Sequence, residues 1–154
     1  AMIEIRQGDI LASKCEAIVI PVNCVGTAGK GLAMTMKRAS SAWFADYKAH
    51  CDGRIEVGKV RFANRPIVPM VFNFPTKQHW RDPSRIEWIR DGLADLAKRI
   101  KPDPNPRCPT DGVESIAIPA LGCGEGGLPW ADVRPLIEVA FADSPALVAI
   151  YEPW

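Results

Sequence analysis

Residues 17 to 31 read Ala-Ile-Val-Ile-Pro-Val-Asn-Cys-Val-Gly-Thr-Ala-Gly-Lys-Gly, and this stretch decides the fold. Ala17 to Val22 is a near-continuous apolar run rich in β-branched residues, which reads as a strand buried on both faces. Asn23 ends the run, a glycine-rich loop follows, and a helix is expected over about Gly29 to Ala39. A buried strand that passes through a glycine loop into a helix is the building unit of α/β proteins with a mostly parallel sheet.

The rest of the chain repeats that alternation. Ile3 and Ile5 alternate with Glu4 and Arg6, as in a half-exposed strand near a sheet edge. Val60 and Phe62 alternate with Lys59 and Arg61, a third strand with one wet face. Residues 67 to 74 give the fourth, with Pro69 marking an irregular or edge start. Val113 to Ile118 gives the fifth strand and Ala146 to Tyr151 the sixth. Between them a helix near Ser41 carries Trp43, Phe44 and Tyr47. The next is predicted from Ser84, which has capping-box spacing to Glu87; Ile86, Ile89, Leu93, Leu96 and Ile100 form its apolar stripe. Lys98, Arg99 and Lys101 suit the end of that helix, and Pro102 stops it. The last helix is predicted with Asp132 as N-cap, which places Pro135 in its first turn and buries Val133, Ile137, Ala140 and Phe141. Lys101 to Gly112, with four prolines, reads as a surface loop.

A chain of 154 residues, 47% hydrophobic and 24% charged, fits one soluble globular domain over residues 1–154, expected as a monomer. A net charge of +1 argues against avid, sequence-blind binding to nucleic acid and leaves room for a local basic patch. The five cysteines show no Cys-x-x-Cys spacing, and with only His50 and His79 beside them no metal site is expected. They read as reduced thiols. No run approaches the ~20 apolar residues of a membrane span. No secretory signal is recognised at the start, where Ala1 before Met2 reads as a cloning remnant; the expectation is a cytoplasmic protein with no membrane partner.

Two loops carry phosphate-binding chemistry. Gly26 to Gly31 follows the second strand, and Leu121-Gly122-Cys123-Gly124-Glu125-Gly126-Gly127 follows the fifth. Glycines free the backbone to aim successive N–H groups at an anion, and a following helix N-terminus adds favourable potential. Two such loops in one small sheet suggest a cleft that grips a diphosphate from both sides. Gly29-Lys30 fails as a P-loop, because Cys24 stands for the first glycine and Gly31 for the magnesium-binding hydroxyl. Gly122, Gly124 and Gly127 match G-x-G-x-x-G, but after the fifth strand and not the first, which makes an NAD-dependent oxidoreductase a poor fit.

The third element is Asn73 to Arg81, where an apolar run gives way to a proline turn expected to present Lys77, His79, Trp80 and Arg81 together. A solvated loop accounts for such a turn as well as an anionic ligand does; the glycine loops after two other strands favour the ligand.

Taken together, these residues resemble the macrodomains, which bind ADP-ribose, and the resemblance covers essentially the whole chain. It rests on Gly8-Asp9-Ile10, Asn23, the two glycine loops and Tyr151-Glu152-Pro153. Asn23-Cys24-Val25-Gly26, Gly29-Lys30-Gly31, Asn73 to Arg81 and Leu121 to Trp130 resemble more narrowly the DarG-type branch. That branch removes ADP-ribose from thymidine in single-stranded DNA and so reverses a DarT toxin. The implied fold is a three-layer α/β/α sandwich around a six-stranded mixed sheet.

The resemblance implies that Asp9 and Ile10 hold the adenine, with Tyr151 near it; Asp9 reads equally as a turn residue. Asn23 would contact the distal ribose and the substrate beyond it, and is expected to be catalytic together with Lys77. Gly29, Lys30 and Gly31 on one side, and Leu121, Gly122, Cys123, Gly124, Glu125 and Gly126 on the other, would cradle the diphosphate. Lys77 would be catalytic, either attacking the anomeric carbon C1″ or stabilising the leaving base by its charge. His79 is a candidate for proton transfer, Arg81 for a DNA phosphate and Trp80 for stacking on a base. A human relative that acts on glutamate esters has an acidic residue where Gly126 stands, and this departure favours DNA-base chemistry. Glu125 stands where an apolar residue is expected.

The function expected is thus an ADP-ribosyl glycohydrolase acting on modified single-stranded DNA, without a cofactor, with weak, salt-sensitive binding to unmodified DNA. The alternatives are a module that binds ADP-ribose without cleaving it, and a hydrolase of ester-linked ADP-ribose on protein. DarG antitoxins also carry a second, toxin-binding domain outside the length read here, so the chain is expected to be an excised domain or a free-standing relative, with a DarT-like toxin as candidate partner.

Overall fold

Alternation along the central strand sorts the core into two halves. In the computed structural model, which describes residues 2–63 and 69–153, the elements in order are β1 (Met2–Arg6), β2 (Ala17–Asn23), α1 (Gly31–Ala39), α2 (Ser41–Ala49), β3 (Arg61–Phe62), β4 (Met70–Lys77), α3 (Ile86–Arg99), β5 (Ser115–Ile118), α4 (Trp130–Ala140) and β6 (Leu147–Tyr151). Ala17 and Val19 of β2 face an apolar cluster that includes Ile89 and Leu93 of α3 and Val133 and Ile137 of α4. Ile18, Ile20 and Val22 face a second cluster with Met36 of α1 and Trp43 and Tyr47 of α2. The two-residue period of the strand therefore puts helices on both faces.

The six strands lie in the order β1-β6-β5-β2-β4-β3. Every pair is parallel except β3 with β4, so the expected mixed-sheet α/β/α sandwich is what forms. From β2 the chain continues to β4 on one side, and from β5 to β6 on the other. Between β2 and β5 lies the switch point of the sheet, where open α/β folds bind their ligands.

Several boundaries differ from the sequence reading, each for a local reason. β4 starts at Met70; Ile67 and Val68 of the expected fourth strand, and Ala1, lie outside the described residues. That strand runs on through Pro75 to Lys77, and the ladder to β2 accommodates the proline by slipping register between Val22 and Asn23. The turn therefore begins at Gln78, and Lys77 is a strand-end residue. α1 starts at Gly31, two residues later than expected, because Lys30 is extended and Gly31 turns the chain at φ 61°.

Ser84 does not cap α3, whose N-cap is Arg85. Its N–H instead donates to Gly126 O at 3.0 Å and its side chain is buried beneath the second glycine loop. Ile86, at the helix start, is consequently exposed. α4 starts at Trp130 with Pro129 as N-cap, so Asp132 falls in its first turn and Pro135 inside the helix. The loop closes early because Leu128 N–H is tied to Gly122 O at 2.9 Å. Gly92 lets α3 approach β4: a Cβ there would collide with the Phe74 ring. No helix among the described residues is long and apolar enough to cross a membrane.

Candidate functional site

β2 pairs with β5 only at Ala17 and Ile18, after which the two strands part. The gap above them opens into a cleft of about 760 Å³ whose walls include Val22 and Asn23, Ala28 to Ala33, Thr76 and Lys77, and Pro119 to Gly126 in part. The cleft therefore brings together the ends of β2, β4 and β5, the three strands after which the sequence placed its chemistry.

The first loop is organised by Asn23. Its Oδ1 accepts from the N–H groups of Val25 and Gly26, each at 3.1 Å, and of Thr27 at 3.4 Å. Its Nδ2 donates to Thr27 Oγ1 at 2.8 Å and Thr27 O at 3.1 Å. Three backbone donors around one atom identify that atom as the oxygen. The buried amide thus caps the loop from below, and both of its own protons are used there. Beyond the cap, the N–H groups of Ala28, Gly29, Lys30 and Gly31 find no acceptor among the described residues. They lead into α1, whose N-cap Lys30 makes no side-chain cap. Free N–H groups and a helix N-terminus together make an anion site.

The second loop has the same character. Leu121, Cys123 and Gly127 spend their N–H groups on Pro119, Ala120 and Gly124. Those of Gly122, Gly124, Glu125 and Gly126 find no acceptor among the described residues. Gly126 admits no side chain, since a Cβ would overlap Ser84 Oγ and the Gly122 carbonyl. Glu125 is exposed, and its carboxylate lies 4.0 Å from Lys30 Nζ across the mouth of the cleft. An exposed pair of this kind contributes roughly 0–1 kcal/mol at most.

Lys77 lines the third wall, half-buried, with Nζ donating to Trp80 O at 3.2 Å. Trp80 and Arg81 line the cleft beside it, with Trp80 54% exposed and the Arg81 guanidinium carbon 5.3 Å from its ring centre. His79 packs against Trp80 with ring centres 5.3 Å apart, and its Nδ1 accepts from Arg81 N at 3.2 Å. It shapes the turn and does not line the cleft.

Asp9, Ile10 and Tyr151 also stand outside the cleft lining, as do Leu121 and Cys123. Ile10 and Tyr151 are buried in the apolar cluster shared by Val22, Ala28 and Ala33, so they support the same end of the cleft from beneath. Asp9 is exposed; one carboxylate oxygen accepts from Leu11 N at 2.9 Å and caps a short turn at Ile10–Ala12. Leu121 is wholly buried. The sequence reading missed Thr27, Thr76 and Pro119 in the walls, and Tyr47, whose hydroxyl reaches Asn23 from α2. Thr27 and Thr76 adjoin motifs that were legible; Tyr47 gave no signal.

The thiols beside the cleft are poor nucleophiles. Burial pushes Cys24 up to about 11, with Cys51 adding to the shift, and burial alone pushes Cys123 up to about 11. Both are protonated at neutral pH. Among the described residues no three His, Cys, Asp or Glu side chains gather as a metal site. Lys77 lines the cleft together with the ionisable side chains of Lys30, Arg81 and Glu125.

A family model described as Macro domain matches residues 19–137. The DNA ADP-ribosyl glycohydrolase of Thermus aquaticus is 40% identical over 157 residues, covering 99% of this chain and 41% of that protein. The solved macrodomain of Mycobacterium tuberculosis DarG superposes with a TM-score of 0.88 at 37% identity, over 99% of this chain and 98% of that one. Thermosipho africanus DarTG in complex with ADP-ribose gives a TM-score of 0.88 at 30% identity, over 99% of this chain and 42% of that one. The chain spans about two-fifths of the length of the curated relatives it matches.

Proposed function

This chain belongs to the Macro domain family, and on that premise we propose that it is an ADP-ribosyl glycohydrolase that removes ADP-ribose from thymidine in single-stranded DNA. The observation that carries the reading is Lys77 Nζ, held by Trp80 O in a cleft whose other two walls offer N–H groups with no acceptor among the described residues. Likeness to DNA ADP-ribosyl glycohydrolases, and to a structure with ADP-ribose bound, supports it.

In this reading Ala28 to Gly31 and Gly122 to Gly126 grip the diphosphate, and the distal ribose faces Lys77. Asp9 keeps one carboxylate oxygen for the adenine amino group, with Ile10 and Tyr151 beneath the ring. Lys77 acts at C1″ in one of two ways. As a free amine it displaces thymine to form a glycosylamine that water hydrolyses, the base taking the proton. As an ammonium it stabilises the negative charge of the departing base while water adds to C1″. Trp80 and Arg81 receive the neighbouring base and phosphate of the strand, and His79 holds Arg81 in place. Such a protein would work in the cytoplasm, opposite a DarT-like toxin.

The steric closure at Gly126 favours DNA-base chemistry over ester chemistry, because it leaves no room for the acidic residue of ester-cleaving relatives. The engagement of both Asn23 amide protons favours the second reading, a module that binds ADP-ribose without turnover. Release of ADP-ribose from a modified thymidine oligonucleotide, compared between wild type and Lys77→Ala, separates the two. Calorimetric binding of ADP-ribose without release would select the binding module.

A further inference from the structure

A second cavity, about 240 Å³, lies at the outer edge of the sheet between β3 and the end of α3, lined by Arg54, Lys59, Arg61 and Arg99 with one acid, Glu56. Three of these cations have a carboxylate partner: Arg54 with Asp52 at 3.0 Å, Lys59 with Glu56 at 3.1 Å and Arg99 with Asp95 at 3.0 Å. Asp95 is further occupied by Val60 N at 2.9 Å. Among the described residues Arg61 has no ion-pair partner and its buried Nε has no acceptor. A guanidinium N–H removed from water and left unpaired costs free energy until an oxyanion reaches it. The Arg54 and Lys59 pairs are exposed and cheap to open, so these two cations can turn toward the same anion.

The position ties this cavity to the cleft. Arg61 pairs with Asn73 of β4, and β4 runs four residues on to Lys77, about 13 Å at the usual strand rise. The first loop is in turn joined to the chain just past β4, where Cys24 N donates to Gln78 O at 3.1 Å. A span of about 13 Å corresponds to a few phosphates of a single strand, at ~3.4 Å or more each.

We propose that the Arg61 pocket is a phosphate subsite that holds a phosphodiester of the DNA strand whose modified base sits in the cleft. This rests on the DNA reading of the cleft. It assigns to Arg61 a role in holding the strand and none in the chemistry.

The test is fluorescence anisotropy with an unmodified single-stranded oligonucleotide of roughly ten nucleotides, within usual site sizes, at low and moderate salt. Arg61→Gln is expected to weaken binding roughly ten-fold and to lower the salt slope by about one. Lys59→Gln, on the exposed rim and harmless to folding, should cost roughly two-fold. Lys98→Gln, an exposed cation outside the pocket, should change nothing, and ADP-ribose affinity should be unchanged in all three. Wild-type affinity in both Arg61→Gln and Lys59→Gln overturns the proposal. So does an equal loss in Lys98→Gln, which would mean diffuse attraction, or no oligonucleotide binding by wild type. Inorganic phosphate that raises the melting temperature through Arg61, without oligonucleotide binding, would assign the pocket to a free anion and overturn the DNA assignment. Hydrolysis of the modified oligonucleotide is scored separately: its absence, with Arg61-dependent DNA binding intact, sinks the proposed reaction and leaves the subsite standing.

Discussion

The Tyr47 hydroxyl lies 2.7 Å from Asn23 Oδ1, a fully buried contact that fastens α2 to the first glycine loop. Burial pushes the Tyr47 hydroxyl well above its ordinary pKa, so it remains a proton donor at any working pH. Asn23 in turn fixes Val25, Gly26 and Thr27, which lead directly into Ala28 to Gly31 on the cleft wall. Tyr47→Phe keeps the shape and removes the donor. It should cost about 1–2 kcal/mol of stability and weaken ADP-ribose binding by several-fold. Chemical denaturation and calorimetry read the two effects; unchanged affinity would show that the loop holds its shape without Tyr47.

Gly126 and Ser84 make a second such pair. Gly126→Ala drives a methyl into Ser84 Oγ and the Gly122 carbonyl, so a loss of about 1–3 kcal/mol is expected, together with weaker ADP-ribose binding. Ser84→Ala should be neutral or slightly stabilising, because the buried Ser84 hydroxyl has no partner among the described residues. A large loss of stability in Ser84→Ala would mean that this hydroxyl has a partner the account lacks.

Gly92→Ala tests the helix packing. Alanine is the better helix former by about 1 kcal/mol, yet its methyl would strike the Phe74 ring. Overpacking should win, with a net loss of about 1–2 kcal/mol read from the thermal transition.

The cysteines give a pH signature. Cys24 and Cys123, pushed up to about 11, should alkylate slowly with iodoacetamide at neutral pH and faster as pH rises toward that value, well after the exposed Cys108. A raised folded-state pKa means that the unfolded state binds fewer protons between about 9 and about 11. Stability should therefore be intact below pH 9 and fall as pH climbs through that window. Rapid modification of Cys24 or Cys123 at pH 7 would contradict the part-buried placement and raised pKa of these thiols.

What the sequence disclosed follows from locality. The β2 run and the two glycine loops were legible because period, β-branching and glycine spacing are properties of adjacent residues. The caps were misread where a distant contact intervened: Ser84 is claimed by Gly126, and the tie between Leu128 and Gly122 starts α4 before Asp132. Asn23 was recognised as a site residue, but its work as a loop cap needs Tyr47 from another helix. That Arg61 alone of the pocket's cations is unpaired among the described residues depends on which neighbours are paired, and no spacing rule reports that.

The central claim is that Lys77 acts on ADP-ribose carried by DNA. The direct measurement follows ADP-ribose and unmodified oligonucleotide released from an ADP-ribosylated thymidine oligonucleotide, for wild type and Lys77→Ala. The account expects release by wild type and a rate lower by at least ~10²-fold in Lys77→Ala, with ADP-ribose affinity changed by no more than a few-fold. An intact substrate after incubation with wild type, or a Lys77→Ala rate equal to wild type, would contradict it.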